Sequence, residues 1–482
     1  MAAEADPFVK VGGLGDVAGS LPQALRAFSL AGEGESSARD HPDIRLVIPF
    51  HGAISEKDHD LRPAGTFSVT HPGGSIRAEA FETDLNGLPV YLISGAPIPR
   101  EAPVYSTDAS LDGLKYTFFS LAALKLTEEL GWAPDIIHAN EWHTAPAIYA
   151  LSLKLKSYNI NPATLLGLHN LPYLGVGAGP GLEAFGLPPA RGSLLPEWSQ
   201  QLPLPLGLLT TDQIVTVSPT YAQEILTPEY GSGLDNFLKT RSNSITGILN
   251  GIDLSSWDPE TDPAIEANFS RDTLSLRRLN KTVLASEFGL DPDPQIPLLA
   301  MISRLDHQKG IDLVPDALRA LKDFEWQAII LGTGVPDLEK VALEFEAEFP
   351  RQARAIIRFD PKLSRRIFAG ADILLIPSRY EPCGLAQMEA MRYGCVPVAR
   401  STGGLRDTIL DYDHSGQGTG FLFKEASSED LAGKLRCTLQ VFKDSWAWQG
   451  LQKRGMSQDF SWERAVREYL GLYKRLITRM NH

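Results

Sequence analysis

The 482-residue chain has only three cysteines, Cys383, Cys395 and Cys437. They are too few and too bunched for a disulfide framework, which fits a reducing compartment. It has no apolar run near the ~18 residues that a membrane span requires. Its opening residues, MAAEADPF, lack the basic and apolar regions of a secretion signal. Positive charge is also short: 45 Lys and Arg stand against 59 Asp and Glu, for a formal net charge of -14. That balance argues against a basic face for nucleic acid or for an anionic membrane. It leaves room for a small anion held by a local cluster of cations. No short repeat and no low-complexity tract interrupts the chain. With 43% hydrophobic and 22% charged residues, the composition is that of globular protein with sizeable cores. The expectation is a soluble cytoplasmic protein.

What the sequence does have is alternation. Short apolar runs bounded by Gly, Pro or Asn alternate with longer amphipathic stretches, the pattern of helices covering a mainly parallel sheet. Strands are expected at IRLVIP (44–49), LPVYLIS (88–94), DIIHAN (135–140), ATLLGLHN (163–170), DQIVTVS (212–218) and SITGILN (244–250). A second set follows at PLLAMIS (297–303), WQAIILG (326–332), AIIRF (355–359), DILLIP (372–377) and CVPVAR (395–400). This is enough for two doubly wound α/β sheets. GIDLSSWDPETDP (251–263), rich in Pro, Asp and Ser, reads as the linker between them. GVGAGPGLEAFGLPPARG (175–192) reads as a mobile loop, and FSWERAVREYLGLYKRL (460–476) as a Ser-capped terminal helix.

In open parallel sheets, ligands sit beyond the carboxyl ends of the strands, and the motifs fall there. FVKVGGLGDVAGSL (8–21) satisfies G-x-G-x-x-A at Gly13, Gly15 and Ala18, with a helix expected from Asp16 to Ala31 and Glu33 or Glu35 as the acidic partner. A dinucleotide fingerprint needs a strand in front of it, and the few residues before Phe8 are too short and polar for one. The narrower content is an anion site made of backbone amides and Lys10, with a plain packing turn as the competing reading. In the second half, SRLDHQKGIDL places Arg304 and Lys309 just past a strand, suited to phosphate oxygens. IPSRYEPCGLAQMEAMRYG then puts Glu381 in a loop before a helix starting at Gly384, and STGGLRDTI repeats the arrangement. In the first half, IIHANEWHTA carries His138, Glu141 and His143, and LGLHNLPY carries His169 and Asn170. H-x-x-E-x-H matches no zinc spacing and straddles a strand end, so no metal site is expected. Cys383 has no paired base and reads as a packed cysteine.

Taken together, KVGGLGDV, HANEWHT, LHNLPYLG, VSPTYAQEIL, GILNGID, SRLDHQKG, PSRYEPCGLAQ and STGGLRDT resemble, in order and at natural spacing, the bacterial glycogen synthase and plant starch synthase family. The resemblance implies a GT-B fold, two facing Rossmann-like domains with a deep cleft, divided as 1–250, 251–460 and a terminal helix 461–482 packing back on the first domain. It implies ADP-glucose as donor, the non-reducing end of an α-1,4-glucan as acceptor, retention of configuration, and no metal or other cofactor. The family's donor lysine falls on Lys10 and its glycine loop on Gly12, Gly13 and Gly15, with Asp16 beside it. Arg304 and Lys309 would hold the diphosphate. Glu381, Cys383, Gly384 and Leu385 would line the glucose and distal phosphate, and Thr402, Gly403 and Gly404 the nucleotide side. His169, with Asn170 and Glu141, would lie at the reacting sugar. The chain departs from the family at Val11 and Ala386, where Thr is usual, and at Glu141, where Asp is usual. The apolar strand that opens family members is missing here. Two other readings stay open: a GT-B transferase with a UDP or GDP donor, since diphosphate ligands do not identify the base, and, from the missing strand and Glu141, a glucan-binding protein without turnover. An NAD oxidoreductase leaves Arg304, Lys309 and Glu381 unexplained.

Overall fold

The computed structural model describes residues 1–28, 42–153, 160–412 and 416–480. The far end of the helix expected to reach Ala31, with Glu33 and Glu35, lies outside the described residues. The chain forms two compact units, residues 1–251 with 462–482, and residues 252–461.

Unit 1 contains two four-stranded sheets. One has the order β1 (Leu46–Pro49), β4 (Leu88–Gly95), β3 (Gly74–Leu85), β2 (Arg62–His71); the other is β5 (Ile136–Asn140), β6 (Ala163–Leu168), β7 (Gln213–Thr216), β8 (Ile245–Gly247). The second is parallel throughout, and β1 pairs with β4 in parallel, whereas β2, β3 and β4 run as an antiparallel meander. The first residues of the chain run between the two sheets. Ala2 N–H donates to the Val47 carbonyl of β1 at 3.2 Å, and the Met1 nitrogen donates to the His138 carbonyl of β5 at 2.8 Å. Ala2, Ala3 and Ala5 are fully buried. The stretch that looks too short and polar for a central position is therefore interior through Ala5, because small side chains fit there and its buried carboxylate, Glu4, finds donors.

The terminal helix Trp462–Met480 belongs to unit 1 and shares a core with the helix Gly13–Ala27: Val17, Leu21 and Leu25 pack with Val466, Tyr469, Leu470 and Leu476. The region 175–192 is built, not loose: it contains the helix Gly179–Ala184, and Leu182 and Leu187 are buried.

Unit 2 has one six-stranded sheet, wholly parallel, in the order β11 (Ala353–Ile357), β10 (Gln327–Gly332), β9 (Leu298–Ile302), β12 (Ile373–Ile376), β13 (Val396–Arg400), β14 (Phe421–Phe423). Continuous apolar runs form these strands because helices cover both faces, as expected for buried parallel strands. The chain passes from unit 1 to unit 2 at the start of the segment 251–263, as expected of a linker, but the rest of that segment is packed on unit 2. Trp257 packs edge-on against Phe368 and Tyr393, and buried Asp262 takes Arg365 at 3.1 Å and the Tyr393 hydroxyl. Its Asp and Ser residues, which suggested a tether, are spent on Asx turns and on this network.

Candidate active site

In unit 2 the strand order reverses between β9 and β12, with β10 and β11 on one side and β13 and β14 on the other. That reversal leaves a crevice at the carboxyl ends of the strands. The loop after β9 carries Arg304 and Lys309; the loop after β12 carries Glu381, Cys383, Gly384 and Leu385; the loop after β13 carries Thr402, Gly403 and Gly404. The three loops lock together through glycines. Gly310 has φ 71°, and a Cβ there would sit 2.2 Å from the Pro377 carbonyl. Gly403 has φ 44°, and its Cβ would sit 2.0 Å from the Glu381 carbonyl, so only glycine suits both the backbone and the space. Gly404 N–H donates to that carbonyl at 3.0 Å.

On this frame Lys309 Nζ meets Glu381 Oε2 at 2.6 Å, and Ser378 Oγ donates to the same oxygen at 2.9 Å. Glu381 is buried; Arg304, on the same loop as Lys309, is half exposed, with Nη1 3.1 Å from Asp306 Oδ2 and Nη2 3.5 Å from Gln308 Oε1. Gln308 ties the first two loops: its Nε2 donates to the Tyr380 carbonyl at 3.2 Å and its own carbonyl accepts from Arg379 N–H at 2.7 Å. Arg379 grips Asp312 through both nitrogens at 2.9 and 2.7 Å and holds that carboxyl below its ordinary value. The buried Gln387 braces the turn below, donating to the carbonyls of Cys383 and Gly384 at 3.1 and 2.9 Å. Sequence reasoning missed Ser378, Arg379 and Gln387, which act through contacts that spacing does not reveal. The helix expected from Gly384 begins at Ala386, because Gly384, at φ 71°, is not helical. Cys383 is buried, as a packed thiol should be.

In unit 1, β5 passes directly into the helix Glu141–Ser152, and the junction forces Glu141 to φ 63°, a left-handed conformation unusual for a residue with a Cβ. Its buried carboxyl reaches the end of β6, where Oε1 accepts the amides of His169 at 2.5 Å and Asn170 at 2.8 Å. His169 Nε2 in turn lies 2.9 Å from Asn140 Oδ1. Burial pushes the Glu141 carboxyl up to about 8 and the His169 imidazole down to about 4. The other two histidines turn elsewhere. His138 Nδ1 meets the Tyr473 hydroxyl at 2.8 Å, whereas His143 is packed 4.1 Å from the Trp142 ring and 4.6 Å from that of Tyr116. His138, Glu141 and His143 thus do not converge, and no group of three metal-binding residues occurs among the described residues.

The glycine loop differs from the open anion cradle expected of it. Val11 and Gly12 amides point inward to Glu4 Oε2, the second at 3.1 Å, and Lys10 Nζ pairs with Asp16 Oδ1 at 2.5 Å. Gly13 and Gly15 open the helix Gly13–Ala27. A surface pocket of unit 2 of about 590 Å³, lined by Arg271, Leu410, Lys453 and Arg454 among others, holds none of the residues named above.

A wholly parallel, doubly wound unit with paired charges at its switch point, joined in one chain to a second α/β unit with its own strand-end cluster, is the build of a GT-B glycosyltransferase. Comparison with known proteins narrows the class. The starch synthase catalytic domain model matches residues 1–240 and the glycosyl transferases group 1 model residues 286–441. A glycogen synthase from Anaeromyxobacter sp. is 39% identical over 99% of this chain and 98% of its own length, and one from Thermotoga maritima 37% over the same shares. The catalytic domain of starch synthase IV from Arabidopsis thaliana, solved with ADP and acarbose, superposes with a TM-score of 0.88 at 32% identity, covering 99% of this chain and 98% of that one. Sucrose-phosphate synthase from Thermosynechococcus elongatus, at 17% identity and a TM-score of 0.56, shares the fold alone. The chain belongs to the glycogen synthase and starch synthase family and is a glycosyltransferase. No helix among the described residues is long and apolar enough to cross a membrane.

Proposed function

We propose that this enzyme transfers glucose from ADP-glucose to the non-reducing 4-hydroxyl of an α-1,4-glucan, with retention of configuration, in the cytoplasm. The observation that carries the reading is the Lys309–Glu381 contact of 2.6 Å at the switch point of unit 2, with Arg304 on the same loop. As the bond between the sugar C1 and the phosphate oxygen breaks, positive charge grows on the sugar ring and the electron pair leaves with the diphosphate. Fixed cations beside that leaving group stabilise the transition state more than the ground state. Arg304 and Lys309 take this role, with the backbone around Thr402, Gly403 and Gly404 holding the nucleotide side, and Cys383, Gly384 and Leu385 lining the glucose and distal phosphate. Glu381 orients Lys309 and faces the glucose.

Unit 1 serves the sugar. Neutral His169 and Asn170, held by Glu141, offer hydrogen-bonding groups without adding a charge that would compete with the growing oxocarbenium centre. Lys10 and Asp16, with Gly12, Gly13 and Gly15, form the remaining donor contact. The acceptor 4-hydroxyl attacks C1 on the face the diphosphate leaves, its oxygen forms the new glycosidic bond, and its proton passes to the departing phosphate oxygen. The ADP seen with starch synthase IV is the leaving group of this reaction. The Glu141 carboxyl, longer by a methylene than the aspartate usual in the family, makes its contacts to the His169 and Asn170 amides from a left-handed backbone.

The test is transfer of labelled glucose to a maltooligosaccharide primer from ADP-glucose, UDP-glucose or GDP-glucose in parallel. Incorporation from ADP-glucose at least tenfold above the others supports the reading. Preference for another base would reassign the donor, and no turnover with any of them would leave a glucan-binding protein.

A further inference from the structure

Glu4 is absent from every role given so far, yet it is among the most constrained polar groups in unit 1. It is 2% exposed. Its Oε2 accepts the amides of Val11 and of Gly12, and its Oε1 accepts the Tyr105 hydroxyl at 2.9 Å. Three donors among the described residues hydrogen-bond to it, the geometry of a carboxylate acting as an acceptor. Burial pushes this carboxyl up, and the same three donors pull it back.

The donors are themselves held. Tyr105 sits on the segment 103–106, which the helix Ala109–Glu129 fastens from beneath. Lys115 Nζ donates to the carbonyls of Pro103 and Val104 at 3.1 and 2.7 Å and pairs with Asp112 at 2.6 Å, with both side chains buried. Asp112 Oδ2 accepts Ser106 N–H at 2.8 Å, and the Tyr116 hydroxyl donates to the Val104 carbonyl at 2.5 Å. On the other side of Glu4, the space beneath the glycine turn is tight: a Cβ on Gly15 would lie 3.1 Å from Glu4 Oε2 and 3.2 Å from Lys10 Cγ. Val11, whose amide is turned inward, has an exposed side chain. The turn thus has a fixed inner face, set by Glu4, and an outer face that carries Lys10.

We infer that Glu4 is a positioning residue for the transfer reaction: by drawing the Val11 and Gly12 amides inward it fixes the turn that aims Lys10, and Tyr105 completes its acceptor shell. The inference deepens the proposed function and rests on it for the role of Lys10. The hydrogen-bond arrangement itself does not depend on that function.

Two readouts on the full-length enzyme separate the questions. The first is amide hydrogen exchange of the peptide spanning residues 8–14 in wild type, Glu4→Gln and Tyr105→Phe. Exchange in that peptide rises at least tenfold in Glu4→Gln, whose side chain replaces one acceptor oxygen by an NH2 group, while peptides from unit 2 stay unchanged. The second is steady-state transfer from ADP-glucose to maltooligosaccharide. In Glu4→Gln, kcat falls at least tenfold while KM for the glucan stays within twofold. Tyr105→Phe, which leaves the carboxylate in place and removes one of its donors, gives a smaller loss of the same kind. Unchanged exchange at 8–14 in Glu4→Gln would overturn the inference whatever the enzyme's donor. Raised exchange with kcat within twofold of wild type would overturn the positioning role and reduce Glu4 to a structural residue. A Glu4→Gln protein too unstable to assay shifts the decision to Tyr105→Phe, where kcat equal to wild type contradicts the inference.

Discussion

The two units carry their strand-end residues in opposite electrical states. In unit 1 the groups are buried and neutral. Burial drives His51 and His169 down to about 4, pushes His138 and His143 well below their ordinary value, and raises Glu141 to about 8. In unit 2 the corresponding loops carry opposite charges in contact, Lys309 with Glu381 and Arg379 with Asp312. Two lessons follow. A site that handles a polyhydroxylated sugar beside a developing cation gains from uncharged hydrogen-bonding groups, whereas one that receives a leaving diphosphate needs preorganised cations. The same contrast makes the units respond differently to pH.

The sharpest test of that contrast is acid. A histidine whose folded pKa lies below its unfolded value stabilises the fold fully above the unfolded value, and that stability is lost as pH falls through the window between them. For His51 and His169 the window runs from the ordinary value of 6.5 down to about 4. Glu141 acts in the other direction, since its raised carboxyl favours the fold as pH falls from about 8 to 4.5. It is one group against four histidines. In unit 2, Asp312 is held below its ordinary value of 3.8, so its stabilisation survives until pH falls beneath that value. Hydrogen exchange resolved by peptide at pH 7 and pH 5 should show unit 1 losing protection first. Equal loss in both units would break the comparison.

Charge removal in unit 2 comes next in size. Lys309→Ala and Arg304→Ala should each cost about 2–4 kcal/mol of transition-state stabilisation, read as kcat for label transfer. Less than a tenfold effect from both would contradict their assignment. Gly403→Ala places a methyl 2.0 Å from the Glu381 carbonyl at a left-handed backbone, and should destabilise unit 2 by about 2–3 kcal/mol. The urea midpoint of unit 2 measures this; no change would mean the loops are not locked as described. The smallest effect belongs to Glu141→Gln, which mimics the protonated carboxyl and retains an acceptor for His169 and Asn170. Between pH 6.5 and 7.5 wild type should lose about 1 kcal/mol that the variant keeps. Parallel slopes in both proteins would show that Glu141 is not protonated in that range.

Much of this arrangement was legible in the sequence, and the parts that were not share a cause. Strands β9, β10, β12 and β13 announce themselves because both faces are buried and their runs are continuously apolar. Arg304, Lys309 and Glu381 follow from the rule that ligands lie beyond strand ends. The hairpin of β2 and β3 escaped notice because one side is exposed, so Phe67, Val69, Ile76 and Ala78 alternate with polar residues and form no run; the alternation about Pro72, Gly73 and Gly74 was the available signal. β14 is only three residues long. Glu4 and Gln387 could not be found by spacing at all. Each is defined by backbone groups it satisfies, and those partners are apparent only once the chain is folded. The segment 251–263 marks the passage between the units as its composition suggests, but its packing was hidden for the converse reason: Asp and Ser suit exposed turns, whereas Asp262 is buried by virtue of Arg365 and Tyr393.

If unit 2 holds the donor's diphosphate through Arg304 and Lys309, ADP binding depends on those two cations. Calorimetric titration of ADP into wild type and into the Arg304→Ala, Lys309→Ala double variant tests it most directly. Saturable binding by wild type, weakened at least a hundredfold in the double variant with its fold intact by circular dichroism, is the predicted result. Equal affinity in the two proteins would contradict it.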